Sequence, residues 1–133
     1  MDIQVLINSL HLEPYAEELE KFSRNHPDAI HPFKNEILAT LKTCKNNITK
    51  WHLLQMLKRL PFEEREVVAL ESLLKDLFHN SPSKIVKVES LQAAVDLSRQ
   101  YPELKELAMG LYENALTSAI PSLKARVKRL KIQ

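Results

Sequence analysis

The chain has 133 residues, 44% hydrophobic and 27% charged, a composition that excludes a disordered polypeptide and suits one continuous core better than two. Lys and Arg exceed Asp and Glu by 19 to 17, a formal charge of +2, which is too even for a globally basic nucleic-acid binder. One glycine argues against hairpin-joined sheets, and one cysteine, Cys44, excludes an internal disulfide and a cysteine-rich metal site.

The elements follow in order. Residues 2–10 predict a short helix with Ile3, Leu6, Ile7 and Leu10 on one stripe and Asp2 as its cap. A second helix begins near Pro14, a residue suited to a first turn, and carries Tyr15, Leu19 and Phe22 inward with Glu17, Glu18, Glu20 and Lys21 on its solvated side. The segment Arg24–Pro32 then interrupts the chain, because Pro27 and Pro32 each disfavour α geometry in the residue before them. Helices are expected over Phe33–Lys45, Ile48–Leu60 with Asn47 or Thr49 as cap, Glu63–His79, Ser83–Gln100, from Pro102 onward, and approximately Pro121–Lys131. No run approaches the about 18–20 apolar residues of a membrane-spanning helix. No secretory leader pattern follows Asp2, so a cytoplasmic protein with no membrane partner is expected.

The helical pattern repeats. Ile85, Lys87, Leu91, Gln92 and Leu97 stand 37 residues after Ile48, Lys50, Leu54, Gln55 and Leu60, and Lys124 follows Lys87 at the same interval. In the preceding helices Phe33, Leu70 and Leu107 correspond, as do Ile37, Leu74 and Leu111, then Leu41, Phe78 and Ala115. An arbitrary bundle shows i, i+3, i+4 spacing but has no reason to hold one phase at a fixed separation. Repetition of a helix pair implies a unit that buries its apolar face against its neighbours.

The segments SPSKIVKVESLQAAVDL, through Pro82, Val86, Lys87, Leu91, Ala94 and Leu97, and IPSLKARVKRL, through Pro121, Leu123, Lys124 and Leu130, resemble the HEAT-like repeat family. The resemblance covers Phe33 to Lys131 and implies an all-α, α-α superhelix: a short solenoid of about eight helices, residues 1–133 as one domain, with 1–32 as N-terminal cap and 33–131 as repeats. It also implies a binding or scaffolding surface, without supplying a partner or catalytic residues.

Chemistry-bearing patterns are few. His26, Asp28 and His31 share a proline-rich turn but lack metal-site spacing, and capping or packing explains them. Cys44 with His52 as base would make a thiol nucleophile, yet Cys44 falls at the end of an apolar helix where packing suffices. Glu63, Glu64 and Glu66 complement the exposed amides of a helix start. No HExxH, phosphate loop or nucleophile elbow is present. No cofactor is therefore expected, and an enzyme with an unrecognised site is the least favoured alternative.

Residues 114–133 carry Lys124, Arg126, Lys128, Arg129 and Lys131 with no acid, while the preceding 113 residues carry 14 bases and 17 acids. This end favours a solvated basic face, an acidic protein surface or nucleic acid. Trp51 registers with Val88 and Ala125, which favours an interior contact over an exposed anchor. The expected function is noncatalytic recognition of a protein partner, with nucleic acid as the alternative and the oligomeric state open. The candidate partner-binding positions are His52, Gln55, Glu89, Gln92, Lys124, Arg126, Lys128 and Arg129.

Overall fold

In the computed structural model, which describes residues 2–130, eight α-helices and three 3-10 turns follow one another with no strand among the described residues. The helices are α1 (Ile3–Asn8), α2 (Glu13–Asn25), α3 (Lys34–Thr43), α4 (Asn47–Met56), α5 (Glu64–Asn80), α6 (Lys84–Gln100), α7 (Lys105–Leu116) and α8 (Pro121–Arg129). This all-α sequence of paired helices is consistent with a short helical solenoid. The chain divides between Pro61 and Phe62 into two compact units.

In the first unit α1 packs on α2, α2 on α4, and α3 on α4. Leu10, Leu19, Ile37, Leu41, Leu53 and Leu54 form its interior. Pro27–Phe33 is a 3-10 turn with Pro32 inside it. The prolines disrupt α hydrogen bonding, the tighter i to i+3 pattern takes over, and fully buried Ile30 anchors the turn. Asn46, not Asn47 or Thr49, caps α4: its backbone is extended and its Oδ1 accepts from the Ile48 and Thr49 amides at 2.9 and 3.0 Å. Thr49 is buried, and its hydroxyl donates to the His11 carbonyl at 3.2 Å. The helix expected to run to Leu60 tightens into a 3-10 turn at Leu57–Arg59.

The second unit is arranged around α6, which packs against α5, α7 and α8. Ser83 Oγ caps it by accepting from the Val86 amide at 3.3 Å. Its buried positions, including Val86, Val88, Leu91, Ala94, Val95 and Leu97, surround most of the helix, as expected where neighbours enclose it. Ser90 and Ala93 keep parts of that surface thin, and the Ser90 hydroxyl returns to the Val86 carbonyl at 2.7 Å. Lys87 closes the preceding helix: its Nζ donates to the Phe78 and His79 carbonyls at 2.7 and 3.2 Å, placing a cation where unpaired carbonyls end α5. The opposite end of α5 has a reciprocal capping box between Glu63 and Glu66.

Tyr101 ends α6, and its hydroxyl accepts from the Phe62 amide at 2.9 Å. Pro102–Leu104 forms a 3-10 turn before α7, so the α geometry expected from Pro102 begins at Lys105. Lys131, expected in the last helix, lies outside the described residues. No described residue has a positive φ, Gly110 included.

Leu91 is fully buried, and Leu91→Ala is expected to cost about 2–5 kcal/mol by leaving a cavity. Val68, 67% exposed, should change stability by less than about 0.5 kcal/mol when replaced by Ala. Urea unfolding followed by far-ultraviolet circular dichroism checks both.

Candidate recognition surface

Two polar positions recur on the second helix of each pair. His52, Glu89 and Arg126 stand at one, and Gln55, Gln92 and Arg129 at the other, each set separated by 37 residues. In the second unit the register becomes a contact. Arg126 Nη1 of α8 lies 3.2 Å from both Glu89 Oε1 and Gln92 Oε1 of α6. Gln92 Nε2 donates to Asp96 Oδ1 at 3.0 Å, so its amide is held at both ends. Glu89, a candidate partner-binding position, is only 7% exposed, because α8 lies against α6 and Arg126 supplies the compensating charge.

The remaining described α8 cations stand outside this cluster. Leu123 and Val127 are buried, whereas Lys124, Lys128 and Arg129 are exposed and form no ion pair among the described residues. The sequence candidates in the second unit thus separate into Glu89, Gln92 and Arg126, joined in one cluster, and three exposed cations on α8.

In the first unit the His52 ring is buried and stacks on half-buried Trp51, with ring centroids 4.6 Å apart. Trp51 Nε1, His52 Nδ1 and Gln55 Oε1 are buried without a hydrogen-bond partner among the described residues. One donor, one carbonyl acceptor and one imidazole nitrogen are therefore gathered on little more than one turn of α4.

The thiol and metal arrangements gain nothing from the geometry. Burial pushes the Cys44 thiol above its ordinary pKa, only partly opposed by the charge of Lys50, which disfavours the thiolate a nucleophile needs. Sγ lies 3.9 Å from the Asn46 carbonyl oxygen. His31 Nε2 is 2.8 Å from the Arg59 carbonyl oxygen, and His26 stacks on Phe22. No group of three or more His, Cys, Asp or Glu among the described residues is arranged to hold a metal.

A buried ionic cluster in the first unit was not legible as such. Glu20, expected on the solvated side of α2, is 1% exposed. Its carboxylate accepts from Arg24 Nε at 2.9 Å and Arg59 Nη1 at 2.8 Å, and the latter nitrogen also donates to Ser23 Oγ at 3.0 Å. Burial raises the Glu20 pKa, but the bonds and charges of the two arginines outweigh it and hold the carboxyl below its ordinary value. A signal existed: the 37-residue register aligns Glu20 with Leu57 and Ala94, both buried.

The model of the HEAT repeat domain matches residues 16–132, from the first turn of α2 through α8. No curated protein and no solved structure matches the chain. No helix among the described residues is long and apolar enough to cross a membrane.

Because the folded Glu20 pKa lies below its ordinary value of 4.5, its stabilisation is present above that value and lost as pH falls through the folded pKa. Glu20→Gln should lower neutral-pH stability by about 1–3 kcal/mol and flatten the acid limb of the stability profile. Denaturant midpoints across acidic to neutral pH measure this. For the second cluster, a double-mutant cycle with Glu89→Ala and Arg126→Ala should give a coupling energy of about 0.5–3 kcal/mol.

Proposed function

The chain belongs to the HEAT repeat domain family, and from that premise we propose that it is a noncatalytic recognition or scaffold module whose partner is a protein. The observation that carries the reading is the division of the second helices: register positions such as 54 and 91 hold buried leucines, while positions 55, 92 and 129 hold Gln, Gln and Arg. A shared packing face with side chains that differ along its edge suits selection among surfaces better than repeated bond chemistry. We assign recognition to Gln55, Gln92, Lys124, Lys128 and Arg129, with Glu89 and Arg126 joining α6 to α8 and His52 stacked on Trp51 beside Gln55.

The same reading takes residues 1–32 as a cap on repeats spanning 33–131, and a cytoplasmic setting in keeping with one unpaired thiol. Exposed Lys124, Lys128 and Arg129 also favour a second reading, phosphate contact with nucleic acid.

Proximity labelling followed by binding measurements on purified partners tests the first reading. Lys124→Glu, Lys128→Glu and Arg129→Glu together should weaken the partner complex about tenfold or more while preserving the helical spectrum. Loss of nucleic-acid affinity, falling steeply with salt in the parent chain, would support the second reading instead; parent-like binding of every partner by the triple variant would remove the basic face from recognition.

A further inference from the structure

The register extends back into α2. Ala16 aligns with Leu53, Ser90 and Val127, and all four are buried. On this alignment α2 and α8 are two versions of the same second helix, one in each unit. Their exposed positions differ in sign. Where the intervening second helices hold Leu54 and Leu91, 1% and 0% exposed, α2 holds Glu17 and α8 holds Lys128. At the two flanking places α2 has Glu13 and Glu18, and α8 has Lys124 and Arg129.

The pattern reaches beyond three pairs. Residues 2–20 contain Asp2, Glu13, Glu17, Glu18 and Glu20 without a Lys or Arg, whereas residues 114–133 contain five bases and no acid. A polar face on a terminal repeat is sufficient for solubility, but solubility does not require one helix to be acidic and the corresponding helix basic. Glu13 and Glu18 are exposed and Glu17 is half-exposed. Pro14, Glu17, Glu18, Lys21 and Phe22 line a shallow depression on α2, so the acids border apolar surface.

We propose that α8 of one molecule docks on α2 of a second copy, giving head-to-tail self-association through Lys124, Lys128 and Arg129 against Glu13, Glu17 and Glu18. The α6–α8 contact supplies the precedent for the register: Glu89 and Arg126, 37 residues apart, meet at 3.2 Å. Existing contacts of the acids are surface ones. Glu17 pairs with exposed Lys21 at 2.9 Å, and Glu13 Oε2 lies 3.3 Å from the Asn46 amide nitrogen, leaving both carboxylates able to share an incoming cation. Because the two surfaces are different, the contact is heterologous and can add successive copies instead of closing as a symmetric pair. A second copy and another protein would compete for these three cations, so the contact is measured on the purified chain alone.

Sedimentation velocity on the purified 133-residue chain, over a concentration series at low and high salt, tests the proposal. Association should weaken about tenfold or more between about 0.05 M and about 0.5 M salt. Two variants, Glu13→Lys/Glu17→Lys/Glu18→Lys and Lys124→Glu/Lys128→Glu/Arg129→Glu, should each remain monomeric at low salt and associate when mixed. Corresponding Gln triple variants, with circular dichroism on every protein, provide the same loss of association should a charge-reversed chain not fold. A parent chain that stays monomeric, self-association unaffected by the triples, or folded reversed variants that fail to associate on mixing would overturn the proposal.

Discussion

Enclosure of α6 is the constraint on which the second unit depends. Three helices press on it, so its sequence must be apolar around most of its circumference yet slender enough to admit them, a combination met by Leu91 and Val95 beside Ser90, Ala93 and Ala94. Once α5 and α8 are both in place, Lys87 closes the end of the former and Glu89 receives Arg126 from the latter. Polar side chains thus settle alignment after apolar burial has selected contact. Since desolvation offsets much of the attraction in a sheltered ion pair, Glu89 and Arg126 contribute register more than a large net energy.

The first unit solves a different problem with Glu20. A carboxylate at a position that holds Leu57 and Ala94 in the two following second helices is tolerable because Arg24 comes from its own helix and Arg59 from the turn after α4. The same cluster fixes a segment that has left α geometry. Arg59 receives His31 at its carbonyl while its guanidinium engages Glu20 and Ser23, joining the two 3-10 turns and α2 through one residue. Local irregularity and buried charge are therefore parts of one arrangement.

Much of the helical architecture was legible because it follows repeated local causes. Eight of the nine aligned residues in the first helices, from Ile37 through Ala115, are buried, and Phe33 is half-buried. Ser83, Pro82 and the Lys87 interval placed α6 within a residue of its observed start. The candidate surface was less legible because exposure depends on neighbours. Periodicity located Glu89 and Gln92 on a polar edge, but only the approach of Arg126 decides that Glu89 is covered. Likewise Glu20 reads as a solvated acid until Arg59, 39 residues later, is brought beside it.

The absence of positive φ angles among the described residues has a consequence outside the folded contacts. The residues that follow α3, α5 and α6, Cys44, Ser81 and Tyr101, leave the helix in extended conformation, so these connections do not require the left-handed conformation for which glycine is favoured. The chain can consequently contain seven prolines and one glycine, a composition that narrows the conformations open to its denatured state. Each compatible replacement of glycine or introduction of proline reduces the entropy lost on folding, by about 0.4–1 kcal/mol in free energy. Extended helix exits in the native fold thereby allow a less entropic unfolded chain, and part of the chain's stability resides in a state where none of those helices exists.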